Sequence, residues 1–306
     1  MGKNLVFGHQ SPDTDTICSA IVMANFENKL GNDAQAVRLG EINKETKYAL
    51  EFLNIDVPEY LEKVEAGQDV ILVDHNEFPQ SVCGIEEAKI NKVIDHHRIC
   101  EFKTADPLYY RAEPVGCTAT VLYKMYKENN IEIDEKIAGL MLSAIVSDTL
   151  LLKSPTKTEE DEKVLRELEK ISKLNSETYG LDMLKAGTDL SDIEADKLIY
   201  LDCKECMLND KKAKIAQVNT ADISEMMERK ADIEEAIKKD ILNNNVDIFV
   251  FTITDIINSN SQAIVLGENI EIFEKAFDKK LENNTTFLPG IVSRKKQILP
   301  VLQNNA

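Results

Sequence analysis

The 306-residue chain has no tryptophan and only four histidines, and its 36 Lys and Arg are outnumbered by 54 Asp and Glu, giving a formal net charge of −18. So large a deficit of positive charge argues against broad nucleic-acid or anionic-membrane surfaces, which require a basic face. The missing indoles also remove a stacking platform for single-stranded nucleic acid. A small anionic substrate stays open, because metal ions and a few local cations can reverse the field within one cleft. Long hydrophobic runs are lacking too. The longest apolar stretch, Leu140 to Leu152, is broken by Ser143, Ser147 and Asp148, too short and too polar to span a bilayer. The opening MGKNLVFGHQ holds no apolar region of signal-peptide length, so a cytoplasmic location is expected. In that compartment the six cysteines read as reduced thiols. Cys203 and Cys206 form a single CxxC, which without a second pair reads as structural or incidental. No internal repeat or low-complexity tract is evident.

What is present is ordinary globular composition, 43% hydrophobic and 29% charged, in a chain long enough to favour two domains. Short apolar runs at residues 4–8, 34–39, 70–73 and 92–94 predict strands. Between and after them, residues 16–30, 44–53 and 118–128, and the segment capped by Asp134, carry helical periodicity. This alternation predicts a parallel α/β sheet. Helices are expected near 159–174 and 176–185, and Gly187 to Ser191 is the candidate linker. The second half reads as a helix near 192–200, strands at 213–218, 246–253 and 262–266, and a helix at 270–277.

Chemistry-bearing residues gather where predicted strands end. In open parallel sheets ligands sit beyond the carboxyl ends of the strands, so His9, Asp74 and His96 can converge although distant in sequence. Gly8-His9-Gln10-Ser11-Pro12-Asp13-Thr14-Asp15 places two carboxylates at alternate positions after a histidine. Alternate residues of an extended segment point the same way, towards a shared cation; a plainer reading is an Asp-rich helix cap. Val73-Asp74-His75-Asn76-Glu77 ends a buried strand on an acid, which is costly unless paired or on a metal. In Asp95-His96-His97, neighbouring side chains diverge, so one imidazole can ligate while the other faces a substrate, with Asp95 orienting a ring; a polar strand terminus is the plainer reading. Asp148, lone in an apolar stretch, needs a partner such as Lys153 or a metal.

His9, Asp13, Asp15, Asp74, His96 and Asp148 together offer two nitrogens and four carboxylates with no thiolate, a set suited to Mn²⁺, Co²⁺, Fe²⁺ or Mg²⁺ rather than structural zinc. Six such groups serve two ions sharing carboxylates better than one, and ion pairs roughly 4 Å apart are typical of phosphoryl hydrolases. The second half supplies the opposite sign in Ser293-Arg294-Lys295-Lys296-Gln297. Arg matches phosphate oxygens with a fork and Lys with a point charge; the plainer reading is a solvated turn.

In this order, GHQSPDTD, VDHNE, DHH and LPGIVSRKKQ closely resemble the family II inorganic pyrophosphatases, the manganese-dependent branch of the DHH phosphoesterase superfamily, over essentially the whole chain. DHH alone is specific only to the superfamily; VDHNE and the C-terminal motif narrow it. The resemblance implies a parallel-sheet DHH domain over 1–187, a linker at 188–191 and a smaller mixed α/β, DHHA2-like domain over 192–306, with the site between them. It implies that His9, Asp13, Asp74 and Asp148 hold one ion and Asp15, Asp74, His96 and Asp148 the other. His97 would donate a proton, with Asp13 assisting, and Lys204, Arg294 and Lys295 would grip pyrophosphate. The cofactors implied are two Mn²⁺ or Co²⁺ per subunit, with further Mg²⁺ or Mn²⁺ carried in with the substrate. The implied nucleophile is a hydroxide bridging the two ions, and the implied assembly is a homodimer. Gln10-Ser11-Pro12 stands where a Lys-Asn-Pro-like run is expected, which changes no ligand position. The rival expectation is a DHH-type phosphodiesterase acting on short oligonucleotides or cyclic dinucleotides, but the glycine-rich GGGH-like motif of those relatives is missing. A non-catalytic metal-binding protein is a further alternative, weakened because every matched position is intact.

Overall fold

A computed structural model describes residues 3–100 and 102–305. The chain divides into two compact units, Met1–Gly187 and Thr188–Ala306. No helix among the described residues is long and apolar enough to cross a membrane.

The first unit is built on a six-stranded, wholly parallel sheet of β1 (Asn4–Phe7), β2 (Ala34–Arg38), β3 (Glu59–Tyr60), β4 (Asp69–Val73), β5 (Lys89–Asp95) and β6 (Tyr109–Ala112), in the order β3-β2-β1-β4-β5-β6. The helices are α1 (Thr14–Lys29), α2 (Lys44–Phe52), α3 (Thr118–Glu128), α4 (Glu135–Thr149), α5 (Glu159–Ser172) and α6 (Ser176–Gly187). Strand order reverses between β1 and β4, because the chain runs outwards from β1 to β2 and β3 and returns to β1's other side as β4. Where neighbouring strands lead away in opposite directions, their loops part and leave a crevice at the carboxyl edge. β1 and β4 can occupy the centre because they are nearly continuous apolar runs, as strands covered on both faces must be; Val70, Leu72 and Val73 are fully buried. One face packs Phe7, Val37, Val70, Leu72 and Val93 into a shared cluster. α1 packs against α3 and α4.

The second unit carries a separate mixed sheet of β7 (Cys203–Leu208), β8 (Lys211–Thr220), β9 (Ile248–Asp255), β10 (Asn260–Gly267) and β11 (Thr285–Pro289), in the order β11-β10-β9-β8-β7. Only β8 and β9 pair in parallel. Its helices are α7 (Ala195–Leu198), α8 (Ile223–Glu228), α9 (Lys230–Asn244), α10 (Ile270–Phe277) and α11 (Leu299–Asn305), the last following a π-helical turn over Arg294–Ile298. β9 is buried at every position, and clusters on its two faces form two cores. The helix expected near 192–200 is confined to Ala195–Leu198. Glu194 gives it no side-chain cap, and after the buried Leu198 and Ile199 the chain emerges at the half-exposed Tyr200 and Leu201.

Candidate metal centre

The crevice predicted by strand order is where the strand-end residues meet. His9 follows β1, Asp74 follows β4, and His96 follows β5 directly. Asp74 leaves its strand at φ +58°, an uncommon left-handed conformation for a non-glycine residue but one that Asp tolerates. Asp13 caps α1, its Oδ1 accepting the Thr16 N–H at 2.9 Å, so the plain helix-cap role and a place in the cluster coexist. Asp15 lies in α1's first turn and Asp148 one residue before the end of α4.

Three groups of potential ligands form. His9, Asp13 and Asp74 make one; Asp15, Asp74, His96 and Asp148 make a second; Asp74, His96 and His97 make a third, with the donor atoms of each within 4.8 Å of one another. Asp74 is common to all three. His9 Nε2 lies 3.5 Å from Asp74 Oδ2 and 3.6 Å from Asp13 Oδ2, while His96 Nε2 lies 3.3 Å from Asp74 Oδ1 and 3.6 Å from Asp148 Oδ2. These spacings are long for hydrogen bonds. They suit atoms sharing a cation, since neighbouring ligands of an octahedral ion bound at about 2.1 Å lie roughly 3 Å apart.

Electrostatics tests the same fit. Burial, then the nearby Asp74 charge, pushes the Asp15 carboxyl up to about 7. Burial and the charges of Asp15 and Asp74 push Asp148 well above its ordinary range. Burial lowers the imidazoles, yet Asp13 and Asp74 outweigh it at His9 and lift that ring to about 10, and Asp74 and Asp15 lift His96 to about 9. Burial would likewise raise Asp74, but His9, His96 and Thr16 outweigh it and hold that carboxylate well below the usual range. The pocket is short of positive charge, and its buried acids recruit protons to make up the deficit. A divalent ion supplies that charge directly, so the residues fit a metal.

The surroundings fix the ligands' orientation. Asp74 accepts from Thr16 Oγ1 at 2.6 Å and Thr118 Oγ1 at 3.1 Å; Asp15 accepts from Ser19 Oγ at 2.6 Å and the Thr118 N–H at 2.7 Å. Thr16 reaches its place because residue 8 is glycine: a Cβ there would stand 2.5 Å from Thr16 Cγ2. His96 Nδ1 lies 3.1 Å from the Val115 carbonyl, which places the proton on Nδ1 and leaves the Nε2 lone pair for a metal. His97 is held by a carboxylate instead. Its Nδ1 lies 3.0 Å from Asp95 Oδ1, which also accepts the His96 and His97 N–H groups, and this bond to Asp95 raises the His97 pKa. Asp95 is locked in turn by Asn76 Nδ2 at 2.6 Å, and Asn76 also donates to the Arg98 carbonyl and accepts the Cys100 N–H. Sequence reasoning missed Asn76, Thr16, Thr118 and Ser19. Of these, only Asn76 left a trace, in the polar run that follows a buried strand.

The cations singled out in sequence lie in the second unit. Lys204 is exposed on β7, and Arg294 and Lys295 open the π-helical turn. Arg294 is paired with Asp202, while among the described residues Lys204 and Lys295 make no ion pair. Cys203 packs against the cluster on one face of the sheet and Cys206 against the cluster on the other, so the CxxC cannot converge on one ion.

Comparison with known proteins gives concordant matches. The DHH family N-terminal domain profile matches residues 3–145 and the DHHA2 domain profile residues 181–305. A protein of Exiguobacterium sp., described as a probable manganese-dependent inorganic pyrophosphatase, is 56% identical, covering 100% of this chain and 99% of its own. The Bacillus subtilis manganese-dependent inorganic pyrophosphatase is 55% identical, covering 99% of this chain and 98% of its own. A solved Methanococcus jannaschii structure, described as a "putative family II inorganic pyrophosphatase", is 41% identical, with a TM-score of 0.62 and 98% of each chain covered.

Proposed function

We propose that this chain, which belongs to the manganese-dependent inorganic pyrophosphatases of the DHH family, splits inorganic pyrophosphate into two phosphates. The observation that carries the reading furthest is Asp74, one buried carboxylate shared by two clusters of metal-ligand type at ligand-like spacings. His9, Asp13, Asp74 and Asp148 are proposed to hold one ion and Asp15, Asp74, His96 and Asp148 the other. The proposed occupants are Mn²⁺ or Co²⁺, with further Mg²⁺ or Mn²⁺ arriving on the substrate. When bound, such ions polarise phosphoryl oxygens and acidify a water, so that a strong nucleophile exists near neutral pH.

The chain's own residues do the rest. Asp74 and Asp148 would hold both ions in common. The Asp95 contact at His97 Nδ1 directs the other proton-bearing atom, Nε2, outwards, and from Nε2 a proton passes to the departing phosphate. Asp13, half-exposed, is proposed to share in that proton's management. Lys204, Arg294 and Lys295 offset charge on the substrate and the leaving group. The proposed division is 1–187 for metal binding and catalysis, 188–191 as linker and 192–306 for substrate grip, in a cytoplasmic homodimer. Against the phosphodiesterase alternative stand relatives that match over the entire chain and are described as pyrophosphatases.

The test is phosphate release from pyrophosphate by chelator-treated protein with Mn²⁺, Co²⁺ or Mg²⁺ restored singly and in pairs. Release should be fast with Mn²⁺ or Co²⁺ and slow with Mg²⁺ alone. Folded protein that releases no phosphate under any of these conditions would overturn the reading.

A further inference from the structure

Arg294 is held on three sides by groups with no assigned role. Asp202, immediately before β7, accepts from Arg294 Nη2 through Oδ1 at 2.7 Å and from Nε through Oδ2 at 3.3 Å. The Arg294 N–H donates to Gln217 Oε1 at 2.6 Å, and Gln217 Nε2 donates to the Val292 carbonyl and to Thr254 Oγ1, both at 3.0 Å. Gln297 Oε1 accepts the Val292 and Ser293 N–H groups, while its amide donates to the Gly290 carbonyl. Two glutamines therefore fix the backbone that presents Arg294, and Asp202 fixes the plane of its guanidinium.

The exposure of Asp202, the outer member of the pair, argues against a purely structural role for its carboxylate. Asp202 is 58% exposed, and ion pairs at such sites add little to stability. What a two-point Arg–carboxylate contact does supply is geometry. A guanidinium has five N–H donors. The bond to Asp202 uses Nε–H and one Nη2–H; of the other three, the second Nη2–H and one Nη1–H form the end-on fork that matches two phosphate oxygens. Asp202 lies in the turn that leads into β7, two residues before Lys204, and its carbonyl accepts the Gln217 N–H at 3.0 Å. The carboxylate that orients Arg294 is therefore two residues in sequence from the second proposed grip.

We propose that Asp202 is a positioning residue for pyrophosphate hydrolysis, orienting Arg294 so that its free N–H fork meets the substrate; this rests on the reading of Arg294 as a pyrophosphate grip. The opposite role is a competitor that occupies Arg294 until substrate displaces it, and the two differ in sign. A positioning carboxylate strengthens substrate binding, whereas a competing one weakens it.

The experiment compares Asp202→Ala, Asp202→Glu, Arg294→Ala and the double variant Asp202→Ala/Arg294→Ala in the full-length, metal-loaded chain. It reads KM and kcat, binding of the slowly hydrolysed analogue imidodiphosphate, and thermal midpoint. Asp202→Ala should raise KM about tenfold and change kcat less, the pattern of lost ground-state binding. Analogue binding should weaken in parallel, the thermal midpoint should barely move, and Asp202→Glu should recover part of the loss. The double variant should be no worse than Arg294→Ala, since the two residues act as one unit. If Arg294→Ala weakens binding but Asp202→Ala leaves KM unchanged or tightens it, the positioning role is wrong while the grip stands. If Arg294→Ala alone changes neither KM nor kcat, the grip reading falls and the positioning role falls with it.

Discussion

His96 and His97 are adjacent in sequence and divided in task by their hydrogen bonds. The Val115 carbonyl beside His96 Nδ1 frees its Nε2 for a ligand, while Asp95 at 3.0 Å holds Nδ1 of the half-exposed His97 ring, which lies 3.7 Å from Asp74 Oδ1. Removing the His97 imidazole should therefore cost catalysis and spare metal. His97→Gln is expected to lower kcat by about 10²–10⁴-fold, the range for a lost general acid. Bound manganese, counted by elemental analysis, should stay near the wild-type value. His96, His97 and Asp74 also form a group that could itself hold an ion, so parallel loss of manganese and rate would place His97 among the ligands. That alternative grouping was not legible in the sequence, because adjacent residues of an extended chain are expected to diverge and the ring orientation depends on Val115 and Asp95.

Among the elements, α3 shows how a buried acid distant from the ligands can position them. Asp161, fully buried in α5, accepts from the Gly116 N–H at 2.8 Å and Thr120 Oγ1 at 2.7 Å, and from the N–H and hydroxyl of Thr158, both at 2.7 Å. It thereby pins the start of α3, where the Thr118 N–H meets Asp15 and the Thr118 hydroxyl meets Asp74. Asp161→Ala strands these donors in the interior and should destabilise the fold by about 3 kcal/mol or more, given the usual penalty of about 1–3 kcal/mol for each unsatisfied buried group. Manganese affinity should fall as well, as measured by urea titration and calorimetry on the same variant. Full affinity in a destabilised variant would separate the α3 terminus from ligand placement. Asp161 is hard to find in sequence because its partners lie some 41 and 45 residues away, as well as three. The central strands were legible because β1, β4 and β5 are apolar runs that end abruptly in polar ligand types. The edge strands β6, β7 and β11 were not. They are half-exposed, β7 sets two adjacent charged residues between thiols, and β11 ends on Pro289, so none bears a buried strand's signature. Asp202 was hidden for the same reason: 92 residues separate it from Arg294, and only the fold joins them.

At the scale of the whole molecule, two compact units with separate cores make two responses to conditions possible, and two-state unfolding is not assured. The proposed ions belong to the first unit. By mass action, Mn²⁺ at one hundred times its dissociation constant adds about 2.7 kcal/mol to whatever unfolds with the site. The second unit has a different sensitivity, set by Asp240. Burial raises this carboxyl, but Lys214, Tyr200 and Asn244 outweigh burial and hold it below its ordinary value; Lys214 Nζ lies 2.8 Å from both oxygens. The folded unit therefore binds this proton less readily than the unfolded chain, whose Asp titrates near about 3.9. The pair's contribution is fully present above that pH and is lost as pH falls through the lower folded value. With no tryptophan to report unfolding, hydrogen exchange read peptide by peptide is the suitable measurement. Manganese should slow exchange in β1, β4, β5 and α4 and leave β8 and α9 unchanged. Acid should lower the protection of β8 and α9 relative to the intrinsic exchange rate at each pH, and Asp240→Asn should flatten that acid response while weakening the unit at neutral pH, because Lys214 then stays buried without its counter-charge. Uniform protection of both units by manganese would mean that they unfold as one body, with the ligand energy shared across the whole chain.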